Sequence, residues 1–203
     1  MINPALQLVH DYPLAAITGV SVHPGQPIHV PLVAQTEGCP ERMVSLIGHM
    51  AKRNISPRAL QEPQDVGVLF CGPDSYITPN LLTDRSWIPT WNYARLFVSG
   101  RITFSPELTQ QSLEILIAEM ERNQPAPWSM KEAGSRTECM KEHIIGFSIE
   151  NLTLHPTFKL GQDEQDPVFA QIVQKHEDRV LVEWMKRMRT GGSEPRQDQG
   201  RPA

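Results

Sequence analysis

Apolar positions along this chain fall mostly into short runs that alternate or continue like strands, with fewer set at the three-and-four spacing of a helix. Leu14 to Val20 (LAAITGV) and Ile28 to Val33 (IHVPLV) flank the turn His23-Pro24-Gly25 and predict a hairpin. Pro31 is confined there to an edge or a bulge, because it has no N–H for a ladder. Met43 to Ile47 (MVSLI) predicts a third strand, left through a turn at Gly48 to Asn54 that puts His49 at the strand exit. Val66 to Cys71 (VGVLFC) reads as a buried strand closed by Gly72-Pro73, and Tyr76 to Pro79 continues it briefly. The densest stretch is Trp87 to Phe104 (WIPTWNYARLFVSGRITF). Tyr93 to Phe104 is its strand, Pro89 and Thr90 lead into it, and Gly100 marks a bulge or a close backbone approach. Ile144 to Leu154 (IIGFSIENLTL) is the last strand predicted.

Helical patterning is firmest after Ser105, which is placed to cap, with Pro106 at the first helical position and Leu108, Leu113, Leu116, Ile117 and Met120 recurring beyond it. Pro4 to His10 predicts a short opening helix, and Lys131 to His143 is polar and helix-compatible. Val168 to Met188 predicts a helix interrupted near His176 to Asp178. Short strands with a few helices against them imply an α+β fold, mainly antiparallel β, built as a small barrel. One domain is expected over residues 1–189, and the Gly, Pro and Gln content of residues 190–203 predicts a disordered tail. Barrel edges need covering, so a homodimer with ligand pockets near its interface is expected.

Charge and cysteine content narrow the partners. A formal net charge of -4 leaves no basic footprint beyond the short knot Lys186 to Arg189, and no helix-turn-helix is legible, so contact with DNA is expected to be weak or indirect. Cys39, Cys71 and Cys139 have no CxxC spacing, and Met1 to Leu8 lacks the regions of a signal peptide, which points to the cytoplasm. The apolar runs fall short of the roughly 20 residues that cross a bilayer, so no membrane partner is expected. Cys71, in a strand read as buried, is expected to pack rather than react. Zinc-ligand spacing, P-loop, GxGxxG and GxSxG are all missing from the sequence.

Five blocks, taken in order, resemble the PaiB family: HVPL at His29 to Leu32, LIGHMAKRN at Leu46 to Asn54, FCGPDSYITP at Phe70 to Pro79, WIPTWNY at Trp87 to Tyr93, and IIGFSIE with FKLGQ between Ile144 and Gln162. That family, of FMN-binding negative transcriptional regulators, implies a split β-barrel like that of the pyridoxamine phosphate oxidases, with flanking helices. The chain departs from the family pattern in lacking the tyrosine-proline-phenylalanine opening before Asn3. Lys52 stands where arginine is usual, which loses the bidentate fork, and Gly161 stands in the lysine-leucine-serine-glutamine-asparagine block.

Two cofactor readings follow. A flavin needs a flat apolar wall and donors for its phosphate, and Trp91, Asn92 and Tyr93 with Lys52, Arg53, Asn54 and Arg101 are sufficient in kind. The same aromatics would equally fill a core, and the same cations would equally sit on a solvated loop. The alternative is haem b with His49 as the iron ligand, since the haem-dependent piperazate synthases, which form an N–N bond from an N-hydroxylated ornithine, resemble this family. FMN and a regulatory or redox-linked role are the first expectation, and the sequence leaves open whether the chain is an enzyme.

Overall fold

The computed structural model describes residues 3–39 and 41–190. Its elements run α1 (Pro4–Asp11), β1 (Leu14–Thr18), β2 (Ile28–Pro31), β3 (Val33–Glu37), β4 (Arg42–Ala51), α2 (Pro57–Gln61), β5 (Gln64–Ile77), β6 (Thr90–Ser105), α3 (Glu107–Glu121), α4 (Arg136–His143), β7 (Ile144–Lys159), α5 (Asp166–Lys175) and α6 (Arg179–Thr190). The described residues of Met1–Gly72 and Arg95–Pro156 form one compact unit, and those of Pro73–Ala94 and Thr157–Ala203 form a second. The expected tail, apart from Thr190 at the end of α6, lies outside the described residues.

The seven strands lie in one sheet ordered β2-β1-β5-β6-β7-β4-β3, and its two end strands are separated in the chain by Leu32 alone. One nearly continuous segment therefore pairs antiparallel with β1 through its first half, Leu14 opposite Pro31, and with β4 through its second, Val33 opposite Ile47. The sheet closes on itself as a split β-barrel. Pro31 sits where the segment leaves one partner for the other, a place that asks for no ladder N–H. The Leu32 amide donates instead to the Pro13 carbonyl at 2.9 Å.

In the first unit, strand alternation fills the barrel with Ala15, Ile17, Val68, Phe70, Leu96, Val98, Leu46, Phe147 and Ile149, all buried. α1 is capped by the Asn3 side chain, which accepts from the Ala5 amide at 2.9 Å. α3 lies over β4 and β7, and its buried positions are Thr109, Ser112 and Leu113, so the stripe is less apolar than its leucine spacing predicts. Gly146 explains this. A Cβ there would fall 2.5 Å from the Leu108 carbonyl oxygen and 2.6 Å from the Thr109 nitrogen, so helix and strand meet backbone to backbone. The Gly146 amide donates to Thr109 Oγ1 at 3.0 Å. Ser105 ends β6 rather than capping α3, and its hydroxyl bonds the Glu107 carboxylate.

Four strands run further than the sequence implies: β6 starts at Thr90 rather than Tyr93 and ends at Ser105, β7 runs past Leu154 to Lys159, and β4 and β5 are longer as well. β4 continues to Ala51, because it pairs with β7 as far as Ala51 opposite Ile144, and the only turn is the 3-10 stretch Lys52–Asn54. β5 passes through Gly72-Pro73 instead of stopping. The inward face moves there from Val66, Val68 and Phe70 to Pro73 and Ile77, a one-residue shift at a residue without a side chain followed by one without an N–H. The close approach expected at Gly100 is present, with a Cβ position 2.8 Å from Ile149 and 2.9 Å from the Glu150 carbonyl oxygen. Cys71 is exposed, as are Cys39 and Cys139, because β5 turns its odd positions outward before the shift.

In the second unit α5 and α6 bury Phe169, Ile172, Leu181, Val182, Trp184 and Met185. The break between them lies at His176 to Asp178, as the sequence implies. The Asp178 amide donates to His176 Nδ1 at 3.1 Å, and Asp178 Oδ1 accepts from the Leu181 amide at 3.0 Å, which caps α6. Among the described residues no helix is long and apolar enough to cross a membrane.

The helix–strand contact at Gly146 yields a test of the fold. Gly146→Ala forces α3 off the sheet, and a loss of about 1–3 kcal/mol is expected in urea unfolding; an unchanged midpoint would show that the contact is not close-packed.

Candidate functional site

A cleft of about 540 Å³ opens in the second unit between the lead-in to β6 and the turn after β7. Trp87, Ile88 and Pro89 supply an apolar wall, and Thr90, Asn92, Lys159, Asp163 and Glu164 supply polar groups. These are the WIPT and FKLGQ blocks, about seventy residues apart in sequence, brought to one place. The Lys159 ammonium donates to the Thr90 hydroxyl. The Trp87 indole N–H reaches Glu164 Oε2 at a long 3.4 Å.

The turn is held in shape from within and from behind. Gly161 adopts φ of 72°, which glycine takes without steric cost. Gln162 bridges the turn, accepting from the Leu160 amide at 2.7 Å and donating to the Phe158 carbonyl at 2.7 Å. Arg189 of α6 donates to the Glu164 carbonyl at 2.9 Å and to the Asp166 carboxylate, with its guanidinium 4.2 Å from the centre of the Phe169 ring. The cleft therefore has a fixed cation and fixed acceptors beside an indole.

Alternation along β6 separates the three residues expected to act together. Asn92 points inward, 3% exposed, with its amide N–H donating to Met185 Sδ at 3.7 Å. Trp91 lies on the opposite face, 54% exposed, and meets Tyr76 edge-on with ring centres 6.1 Å apart. Tyr93 shares the parity of Trp91. The Asn92 side chain thus belongs with the cleft, and the Trp91 and Tyr93 side chains belong to an aromatic face.

His49, Lys52, Arg53, Asn54 and Arg101 lie on the first unit. His49 is within β4, opposite Gly146, rather than at a strand exit. Its Nδ1 is buried without a hydrogen-bond partner, and burial pushes its pKa down, which favours the neutral imidazole. Lys52, Arg53 and Asn54 form the exposed turn after β4. Lys52 Nζ donates to the Glu142 carbonyl at 2.9 Å. Arg101 pairs with Asp65 at 3.2 Å, and among the described residues no hydrogen bond or ion pair joins it to that turn. Trp87, Lys159, Asp163 and Glu164 were not singled out by residue type, although Trp87 and Lys159 lie inside the quoted blocks and Asp163 directly follows one.

Residues 2–151 match the family model described as "Putative FMN-binding domain". An uncharacterized protein of Emericella nidulans is 30% identical over an alignment of 208 positions that spans 81% of this chain and 83% of that relative. The protease synthase and sporulation protein PAI 2 of Bacillus subtilis is 27% identical over 164 residues, covering 78% of this chain and 76% of the relative. Among solved structures, the FAD and heme binding protein from Mycobacterium smegmatis superposes with a TM-score of 0.48 at 16% identity, covering 85% of this chain and 77% of that one. The flavocytochrome Anf3 from Azotobacter vinelandii gives 0.44 at 15% identity, covering 74% and 64%.

Burial of His49 sets a pH dependence. With its folded-state pKa below the ordinary 6.5, the unfolded chain takes up the proton first. The contribution to stability is complete above about pH 6.5 and is lost as pH falls below it. Between about pH 7 and about pH 5, the urea midpoint of His49→Phe is therefore expected to fall less than that of the unsubstituted protein. Parallel pH profiles would contradict the burial.

Proposed function

The chain belongs to the FMN-binding domain family, and from that membership we propose that it binds a flavin, FMN, and acts as a PaiB-like regulator or redox-linked protein. The observation that carries this reading is the second-unit cleft, where two of the resemblance blocks meet around a lysine and an indole. The residues fit the group in kind. Lys159 and Thr90 are suited to a phosphate or a ribityl hydroxyl, Trp87 and Ile88 to the edge of a ring system, and Asp163 and Glu164 to its N–H donors. When bound, the flavin supplies reversible one- or two-electron redox chemistry. The protein's part is to hold the cofactor and exclude water, with the turn fixed by Gln162 and Arg189.

The remaining candidates are kept on their own units. Trp91 and Tyr76 offer exposed aromatic surface on the second unit, with Tyr93 half-buried on the same face. Lys52, Arg53, Asn54 and Arg101 offer cations and an amide on the first, with Lys52 carrying a charge but no fork. Any effect on transcription is proposed to act through a partner or a dimer surface, since the net charge of -4 disfavours direct binding to DNA.

A second reading, haem b, is favoured by one observation. His49 has a buried ring nitrogen without a partner, held in the neutral form that ligates iron. On this reading the chain is a haem-dependent enzyme of the piperazate synthase kind.

A homodimer is also proposed, through the outer sheet face of the first unit. Leu14, Leu69 and Phe97 stand exposed there, 62%, 38% and 44%, beside the exposed Cys71. Register puts Leu14 and Leu69 on one face, and Phe97 packs over Gly67 of the same row. Such a surface suits an isologous contact.

Absorption spectra after adding FMN and, separately, hemin decide between cofactors. Flavin bands are expected to remain with the protein through gel filtration, with Lys159→Met weakening FMN binding about tenfold. Unchanged affinity in Lys159→Met would overturn the placement in the cleft, and a Soret band lost in His49→Ala would replace flavin with haem. For the dimer, light scattering is expected to give twice the chain mass, with Phe97→Glu giving a monomer; a monomeric unsubstituted protein would end that proposal.

A further inference from the structure

The first unit holds a second cleft, of about 330 Å³, walled by α1, α3 and the stretch in which β2 passes into β3. Its floor is apolar, from Leu6, Val9, Leu32 and Val33, and one end carries Glu119 of α3 and Arg122, the residue that follows α3, beside His10 of α1. His10 Nε2 meets Glu119 Oε1 at 3.2 Å, and His10 Nδ1 meets Asp11 Oδ1 at 3.0 Å. Arg122 Nη1 forms an ion pair with the same Glu119 oxygen at 2.9 Å, and its second amino group approaches His10 Nδ1 at 3.4 Å. Both ion pairs approach Glu119 at Oε1. Among the described residues, Glu119 Oε2 and the Arg122 Nε–H carry no hydrogen bond.

Glu119 is half-buried and Arg122 is exposed, with side-chain exposures of 25% and 41%. A spare carboxylate oxygen and a spare guanidinium N–H thus stand one helical turn apart at the end of an apolar floor. The complement to that arrangement is a small molecule with an ammonium, a carboxylate and an apolar side chain. We propose that this cleft binds a free apolar α-amino acid, with the ammonium on Glu119, the carboxylate on Arg122 and the side chain on the floor of Leu6, Val9, Leu32 and Val33. The volume lies near the lower end of small-molecule sites, about 300–1,000 Å³, which suits a ligand of that size. A ligand with only a carboxylate would bring no cation to Glu119, and one with only an ammonium would bring no anion to Arg122, so each gains one of the two ion pairs that an amino acid gains. His10 acts as a positioning residue, holding Glu119 by one oxygen so that the other is presented. This site goes beyond the flavin reading and shares no residue with it.

The test is titration calorimetry of the full chain with L-leucine, isocaproate, which lacks the ammonium, and isoamylamine, which lacks the carboxylate. L-leucine is expected to bind, with each half-ligand at least tenfold weaker. Glu119→Gln is expected to erase the preference for L-leucine over isocaproate, and Arg122→Gln the preference over isoamylamine. No heat with L-leucine, or equal affinity for all three, would mean that the cluster only fastens α1 to α3. Should either variant fail to fold by circular dichroism, the comparison of the three ligands on the unsubstituted protein decides. FMN affinity in Glu119→Gln is expected to be unchanged, so the two readings stand or fall separately.

Discussion

Closure of the sheet by a single segment is the constraint on which the rest of the first unit depends. For β2 to leave β1 and, as β3, join β4 within one residue, the backbone of β4 must come close to Leu32 and Pro31. Gly48 permits this. A Cβ there would lie 2.8 Å from Leu32 Cδ2, 2.9 Å from the Phe147 ring and 3.1 Å from the Pro31 carbonyl oxygen. Cores packed at crystal-like density have no slack for such an intrusion. Closure in turn fixes which face of β4 looks inward, and so puts His49 on the outer side opposite Gly146, beneath the start of α3.

The same parity argument sorts the functional candidates on β5 and β6. On β6, inward positions run through Asn92, Ala94, Leu96 and Val98, which leaves Trp91 and Phe97 outside. On β5 the shift at Gly72-Pro73 turns Tyr76 outward while Ile77 goes in. Both strands thus carry exposed aromatic residues, Tyr76 on β5 through the shift and Trp91 and Phe97 on β6 through unbroken alternation. Exposed aromatic surface is costly to leave in water unless something covers it, which is the physical basis of the dimer proposed for the outer face of the first unit.

Both clefts are rigid where they are polar. Arg189 fixes the turn of the second-unit cleft through backbone carbonyls and the Asp166 carboxylate, and the His10–Glu119–Arg122 cluster fixes the end of the first-unit cleft through side chains. Polar groups held in place before a ligand arrives lose little entropy on binding, so a few of them suffice for orientation while the apolar walls supply affinity.

Local chemistry was legible in the sequence. The β-rich runs, the α5–α6 break at His176 to Asp178, the opening helix and the close approach at Gly100 all follow from propensity, capping and turn residues acting over a few positions. So did the family, because its blocks are contiguous words. What the tertiary structure decided depends on partners distant in the chain. β4 extends to Ala51 because β7 is there to pair with it, and β5 survives Gly72-Pro73 because the sheet carries the strand past a missing N–H. Small polar residues face inward on α3 because Gly146 brings backbone against backbone. No spacing in the sequence links Trp87 to Glu164 or His10 to Glu119, since contacts across 77 and 109 positions arise only when the sheet has closed and its helices have docked.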